Sequence, residues 1–361
     1  MRFLSIKKIA KEAGVSTATV SRVLNNPGYK CSSEELRERI WKIARELNYM
    51  PNEAARNLKK GITDTSQKVW YLDVLMTRMG NLETDPFFSE LLRVIESEIH
   101  RQGCILMHIF HQPLFSNDRK CRTENIDKVI AQMEPDGDIR SDGLIIIGKC
   151  NDNVLKKLSA KYKSIVSVNR NSTNYLVDEV ICDGKRIAAM AVEYLIGLGH
   201  RKIGYVGDCH NESRYKGYQD TLFQYGIDID ISFVIEAEHT EAEGYAVMER
   251  LIQRGDAPTA IYCANDMIAI GMLKCLNKYK NRYYVPSIIS SDDIEEAQYT
   301  RPMLTTVRLP KEEMGKFALY LLIDRLGGGH KGIVRTELEG KLMIRESCTL
   351  VENANRMEYY I

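Results

Sequence analysis

Apolar residues near the start of the chain recur every three or four positions, which places them on one face of short helices. Ser16 stands where a helix N-cap is expected, and Gly14 and the segment 25–28 interrupt the pattern as turn signals. The pattern therefore predicts a small all-α domain. Its predicted helices are 5–13, 17–24 and 33–48.

The first two predicted helices have the spacing of a helix-turn-helix. Ala10 is small enough for the helices to touch, Gly14 permits the tight turn, and Val20 packs the second helix onto the first. A plain three-helix bundle would show the same core. The second helix, however, has a small, polar and basic outer face that suits the major groove of DNA. That face carries Thr17, Ala18, Ser21, Arg22 and Asn25.

From Val69 onward, short apolar runs alternate with helical stretches, which is typical of parallel α/β sheets with helices on both faces. The predicted strands are 70–76, 105–109, 143–147, 164–168, 180–182, 202–206, 260–263 and 287–290. The predicted helices are 87–101, 125–132, 152–158, 184–198, 212–225, 241–254, 266–278 and 311–326. These elements are too many for one sheet. We expect two doubly wound subdomains with a ligand cleft at the carboxyl ends of their strands.

Composition agrees with a globular protein of several domains. The chain has 361 residues, of which 44% are hydrophobic and 27% charged. No apolar run approaches the ~20 residues of a membrane helix, and the start of the chain lacks a signal-peptide pattern, so we expect a cytosolic protein. Nine cysteines stand singly, without a disulfide framework or zinc spacing.

Charge is distributed unevenly along the chain. Residues 1–61 carry 13 Lys/Arg and 6 Asp/Glu, whereas the other 300 residues carry 37 and 43. A basic head on a mildly acidic body is typical of a nucleic-acid-binding module attached to a second function. Charge alone is weak support, but it agrees with the helix-turn-helix spacing.

Three segments resemble the lac/galactose repressor family, in the family's order and spacing. They are IKKIAKEAGVSTATVSRVLN at 6–25, LNYMPN at 47–52 and AARNL at 54–58. The resemblance continues more loosely through nearly the whole chain. It implies a transcription regulator that binds a palindromic operator as a homodimer and responds to a small effector.

The resemblance also assigns DNA contacts. Arg22 would donate two parallel bonds to a guanine, which discriminates by about 1–3 kcal/mol. Residues 52–59 would form a hinge helix only when paired with the partner's hinge, and Leu58 would wedge between base steps in the minor groove. The implied base contacts are Thr17, Ala18, Arg22 and Leu58. The implied backbone contacts are Ser16, Thr19, Ser21, Asn25, Tyr49, Asn52 and Ala55.

For the body, the resemblance implies a periplasmic-binding-protein-like fold with three crossings between subdomains. The implied divisions are a helix-turn-helix head at 1–51, a hinge at 52–61, an effector and dimerisation domain at 69–350 and a tail at 351–361. Within the effector domain, the N-subdomain would comprise about 69–170 and 295–326, and the C-subdomain the rest.

Polar and aromatic residues at or beyond the strand ends are the expected effector contacts. They are Phe87, Phe88, Asn169, Arg170, Arg214, His239, Asn265 and Asp292. Arg214 matches the family's ligand-binding arginine, whose fork can bridge two vicinal hydroxyls of a sugar. Each has a plainer interpretation: the phenylalanines as core, Asn169 and Arg170 as a solvated loop, Asn265 as a helix cap and Asp292 as a turn carboxylate. His239 replaces an aromatic residue common in the family.

The effector is expected to be a sugar, although a purine or another small molecule fits the same residues. Two further classes of protein are alternatives. A sugar-binding transport or sensor protein without DNA function disagrees with the basic head. An enzyme disagrees with the absence of a Gly-x-Ser-x-Gly, phosphate-loop or His-Glu-x-x-His motif in the sequence. We therefore expect no catalysis, cofactor or metal.

Overall fold

The protein is described here by a computed structural model, which divides the chain into two compact units at residues 1–68 and 69–361. We call them the head and the body. The structure describes residues 6–25, 33–46, 69–78, 85–117, 120–133, 140–169, 171–210, 212–279 and 284–353. None of the helices in these ranges is long and apolar enough to cross a membrane.

The described head contains three helices: α1 (Ile6–Ala13), α2 (Thr17–Asn25) and α3 (Glu34–Glu46). Gly14 between α1 and α2 has φ of +68°, a conformation that costs other residues more. Arg39 on α3 donates through Nη2 to the carbonyl oxygen of Ala13 at 2.5 Å. This bond satisfies an orphan carbonyl at the end of α1. The helices enclose a small core of Ile9, Ala10, Ala13, Val20, Val23 and Ile40.

The described residues of the body form two six-stranded sheets. Sheet 1 is formed by β1 (Tyr71–Met76), β2 (Ile105–His111), β3 (Gly143–Ile147), β4 (Ser164–Asn169), β5 (Asp178–Ile181) and β11 (Arg335–Glu337). Sheet 2 is formed by β6 (Ile203–Gly207), β7 (Val234–Glu236), β8 (Ala260–Cys263), β9 (Ser287–Asp292), β10 (Thr305–Arg308) and β12 (Lys341–Met343). The strand orders are β11-β5-β4-β3-β1-β2 and β12-β10-β9-β8-β6-β7.

All strand pairs of both sheets are parallel except β10 with β12. Parallel strands need crossover helices, which cover the sheets and leave the central strands apolar on both faces. The helices are α4 (Pro86–Arg101), α5 (Lys120–Thr123), α6 (Ile126–Ala131), α7 (Asp152–Lys161), α8 (Gly184–Gly197), α9 (Ser213–Gln224), α10 (Glu241–Ile252), α11 (Asp266–Tyr279) and α12 (Lys311–Leu326).

Sheet 1 with α4 and α12 forms the N-subdomain, and sheet 2 with α8 to α11 forms the C-subdomain. The chain crosses between them after β5, after β10 and after β11, three times as the resemblance implies. The expected boundaries need correction, however. β5 extends the N-subdomain beyond residue 170, and β10 keeps the chain in the C-subdomain past residue 295. An apolar run predicts a strand but does not indicate which sheet it joins.

Candidate functional site

The outer face of α2 is the candidate DNA-binding surface of the head. Thr17 and Arg22 are exposed on it. The Ser16 hydroxyl accepts from the amide of Thr19 at 3.1 Å and lies 2.9 Å from the Thr19 hydroxyl. Ser16 therefore caps α2, and the exposed cap is compatible with a phosphate contact as well. Ala18, Ser21 and Asn25 lie on the same helix, but their side chains fall outside the description.

The hinge residues Asn52, Ala55 and Leu58 lie outside the described residues, as do Tyr49 in the head and Arg170 in the body. Their roles remain predictions from the sequence.

Between the two subdomains lies a cavity of about 900 Å³, which we call cavity A. Arg78, Asp85 and Phe88 line it from the N-subdomain, and the C-subdomain contributes the loops after β6 and β7. The C-subdomain lining is Asp208, Glu236, Ala237, Glu238, His239, Thr240, Glu241, Glu243 and Met267. Because both subdomains supply walls, a bound molecule would contact both of them. Its contacts would therefore depend on the angle between the subdomains.

Cavity A has an acidic wall, part of which also serves the local fold. Asp85 caps α4 by accepting from the amide of Phe87 at 3.0 Å. Asp208 accepts from the amide of His210 at 2.8 Å, and Glu236 accepts from the amide of Cys209 at 2.6 Å. The His210 ring nitrogen Nδ1 lies 3.4 Å from Glu236. These polar groups present several acceptors to the cavity.

Arg214 is fully buried behind this wall, at the start of α9. Its Nε donates to Glu212 at 3.0 Å, and its Nη1 donates to the carbonyl oxygen of Ala264. Burial lowers the pKa of Arg214, but the carboxylates of Glu212 and Asp292 outweigh it, so the pKa is raised and the group is charged. Its Nη2 has no hydrogen-bond partner among the described residues. The guanidinium therefore retains one donor that no described residue uses.

Glu212 also connects the two subdomains. Its carboxylate lies 3.8 Å from the Nη2 of Arg78, which follows β1. Arg78 is 30% exposed and Glu212 only 3%. One buried carboxylate therefore orients Arg214 and faces a cation of the opposite wall.

Asp292, at the end of β9, is 2% exposed and acts electrostatically on Arg214. Asn265 is equally buried; its Oδ1 accepts from the amide of Ile268 at 3.1 Å, and its Nδ2 donates to the carbonyl oxygen of His239 at 3.3 Å. The helix-cap interpretation of Asn265 thus describes its contacts, while its second bond supports the position of His239 on cavity A.

A buried carboxylate, Asp266, adjoins these residues. Burial, and then the charge of Asp292, raise the pKa of Asp266 to about 7, although three donors bind it. The donors are the hydroxyls of Ser290 and Thr306, both at 2.6 Å, and the amide of Ile294 at 2.8 Å. Asp266 ties α11 to β9 and β10 beneath the cleft.

A second cavity of about 510 Å³, cavity B, lies at the carboxyl ends of β3, β4 and β5. Its lining is rich in neutral amides and hydroxyls, which both donate and accept. These are Ser167, Asn169, Asn171, Ser172, Thr173, Asn174 and Ser213, with Lys149 and Lys216 among the charged residues. Such a lining suits a polyhydroxylated ligand.

The structure distributes the predicted effector residues over these features. Phe88 and His239 line cavity A, and Asn169 lines cavity B. Arg214, Asn265 and Asp292 form the buried polar layer beneath. Phe87 lies in the core, 2% exposed, with its ring 5.1 Å from that of Phe88.

Sequence reasoning missed Arg78, Glu212 and Asp266. Glu212 stands two residues before Arg214, and Asp266 directly follows Asn265. Their positions beside predicted effector-binding residues were the signal that the sequence offered. Arg78 carried no signal of its own in the sequence.

Two family models match the chain. Residues 5–52 match the model described as bacterial regulatory proteins, lacI family, and residues 192–348 match a periplasmic binding protein-like domain. The HTH-type transcriptional repressor MelR of Bacillus subtilis is 31% identical over 357 residues, covering 95% of this chain and 97% of MelR. The chain belongs to the lacI family.

This lacI-family chain is also similar to the HTH-type transcriptional repressor PurR of Haemophilus influenzae, at 29% identity over 95% of this chain and 98% of PurR. Solved structures share its fold. A transcriptional regulator CelR–cellobiose complex aligns with a TM-score of 0.64 and 24% identity, covering 96% of this chain and all of that one. The lac repressor dimer bound to operator and the anti-inducer ONPF aligns with the same score at 22% identity, with the same coverage. The chain is therefore a DNA-binding transcriptional regulator with an effector-binding body.

Proposed function

We propose that this regulator binds a palindromic operator as a homodimer and that a sugar bound between its subdomains changes its operator affinity. The observation that carries the proposal is cavity A, whose walls come from both subdomains. The buried charged pair of Arg214 and Asp292 is connected to its wall through Glu212, which faces Arg78. A ligand that contacts both walls has different affinities for open and closed forms, which is the condition for control.

Three features support a sugar. The Nη2 of Arg214 retains a donor, and the carboxylates of cavity A and the amides of cavity B accept from hydroxyls. Structures of the same fold contain cellobiose, ribose and sucrose. A purine is the alternative effector. It is worth testing because the similarity to PurR extends over nearly the whole of both chains.

For the head, we propose a DNA-binding domain at 1–51 and a hinge at 52–61, with Arg22 reading a base. Arg22 is exposed on α2, where an arginine can reach guanine in the major groove. We assign no catalytic reaction to the chain.

The operator is found by selecting bound duplexes from a random library with the full-length protein. Arg22→Ala should relax discrimination at one base pair of each half-site by about 1–3 kcal/mol. Lys42→Ala, which removes an exposed cation on α3, should leave the sequence preference unchanged. An unaltered preference in Arg22→Ala would contradict the assignment of this residue.

The effector is sought by calorimetry with cellobiose, sucrose, ribose and hypoxanthine. We expect a sugar to bind, to change operator affinity, and to lose at least tenfold in affinity on Arg214→Met. Because that buried variant can also weaken the fold, Asn169→Ala in cavity B and His239→Ala in cavity A serve as gentler tests. If hypoxanthine binds and none of the sugars does, the effector would be a purine and the proposal of a sugar would be wrong.

A further inference from the structure

The turn that follows β9 has a strained backbone. Asp292 has φ of +130° and Asp293 has φ of +50°, a region that residues with a side chain rarely adopt. The buried carboxylate of Asp293 is held by Nε of Arg308 and Nη2 of Arg345, each at 2.5 Å. Surrounding contacts therefore fix the turn that holds the buried carboxylate of Asp292 near Arg214.

Lys311, the first residue of α12, binds the same turn from the other side. Its Nζ lies 3.0 Å from the carbonyl oxygen of Asp293 and 3.3 Å from that of Asp292. It also lies 2.6 Å from Glu90 Oε2 on α4, and 5.8 Å from the centre of the Phe87 ring. An ammonium group has three hydrogens, and here each has an acceptor.

These contacts cross between the subdomains. Asp292 ends β9 of sheet 2 and Asp293 follows it, whereas Glu90 belongs to α4, which packs on sheet 1 and α12. Lys311 is 13% exposed and Glu90 24%, so solvent screens this ion pair less than a surface pair. The first turn of α4 also carries Phe88 on cavity A.

We propose that Lys311 is the positioning residue that couples the effector-binding turn at Asp292 to helix α4, and so transmits effector binding to the N-subdomain. The inference rests on the proposed function for the identity of the signal. A shift of the turn changes two of the three bonds of the Lys311 ammonium group, and the third bond is on α4. A displacement of the turn or of α4 therefore changes the contacts of Lys311 with the other.

The amide of Ile294 reports on this coupling without any effector. It is 1% exposed and donates to the Asp266 carboxylate at 2.8 Å, immediately after the strained turn. We expect Lys311→Met and Glu90→Gln to speed hydrogen exchange at Ile294 at least tenfold in the full-length protein. Lys311→Arg, which keeps the charge, should restore part of the protection.

Glu313→Gln is the matched control, since Glu313 is exposed on the same turn of α12 as Lys311. It should leave exchange at Ile294 within twofold of the parent protein. Buried amides far from the turn, such as that of Ile145 on β3, should exchange at the parent rate in every variant. Faster exchange throughout the body would instead mean general destabilisation and would overturn the coupling role, as would parent-like exchange at Ile294 in Glu90→Gln.

The second arm uses cellobiose, sucrose and ribose with the selected operator. For a sugar that binds, we expect Lys311→Met to reduce the sugar-induced change in operator affinity at least fivefold. A full response in Lys311→Met would overturn the inference while leaving the proposed function intact. If none of the three sugars binds, the proposed sugar effector fails, and exchange at Ile294 still decides the role of Lys311.

Discussion

The contact between α10 and α11 permits a quantitative test of how the cavity A wall is built. A Cβ added to Gly271 on α11 would lie 2.0 Å from the carbonyl oxygen of Glu241, and one added to Gly244 on α10 would lie 2.0 Å from that of Ile268. Atoms of these types do not approach within 3.0 Å. Because the obstacles are backbone, Gly271→Ala forces the helices apart.

The expected cost follows from two opposing effects. Alanine in a helix interior gains about 1 kcal/mol over glycine, whereas overpacking costs about 1–3 kcal/mol and stands at the upper end where backbone must move. Gly271→Ala should therefore destabilise the body by about 2 kcal/mol. In a body of this size, that lowers the melting temperature by roughly 4–6 °C.

Gly197 supplies the control, because it lies in α8 with nothing within 4 Å of an added Cβ. Gly197→Ala should raise stability by about 0.5–1 kcal/mol. Both variants are compared by calorimetric melting of the full-length protein. A Gly271→Ala protein that melts with or above Gly197→Ala would refute the reasoning. Since α10 follows His239 and α11 follows Asn265, we also expect Gly271→Ala to weaken sugar binding.

Two pH effects follow from buried charge. The folded-state pKa of Asp266, raised to about 7, lies above its unfolded value, so its contribution to stability is full below about pH 4 and is lost as pH rises through 7. The parent should therefore lose about 2 kcal/mol relative to Asp266→Asn between pH 5 and 7 in urea titrations; a constant difference would contradict the burial argument. Hydrogen bonds to Asp324 and Asp178 raise the pKa of His330, so its contribution is full below pH 6.5 and is lost above that. His330→Gln should thus lower the melting temperature more at pH 6 than at pH 9, and an equal loss would mean that the charge plays no part.

The sequence predicted the elements well where they are long and periodic. The helix predicted at 311–326 has those bounds in the structure, as do the strands at 143–147 and 260–263. It missed β7, β11 and β12, each of three residues, and β10, of four residues, because so short a run has no period to detect. The sequence pattern also did not predict to which sheet each strand belongs, because strand pairing is decided by tertiary contacts.

The candidate site was predictable only in its ligand-facing residues. Arg214 and Asp292 could be proposed because they match family positions, but nothing in their spacing reveals that Glu212 and Lys311 support them. Glu212 acts through a buried ion pair, and Lys311 through the backbone carbonyls of Asp292 and Asp293, two residues with positive φ. Contacts of this kind depend on the folded backbone, which a hydrophobic pattern does not encode.

Two of the connections between the subdomains differ in strength, and this difference has a consequence for control. At the mouth of the cleft, Arg78 and Glu212 are 3.8 Å apart and Arg78 is 30% exposed, so the pair contributes less than about 1 kcal/mol. Lys311 of the N-subdomain, by contrast, is 13% exposed and donates to the carbonyl oxygens of Asp293 at 3.0 Å and Asp292 at 3.3 Å in the C-subdomain. The subdomains are thus joined firmly at Lys311 and weakly at the mouth. Closure of the mouth then depends chiefly on the contacts that a bound molecule makes with both walls. A ligand shifts a conformational equilibrium only by its differential affinity for the two states.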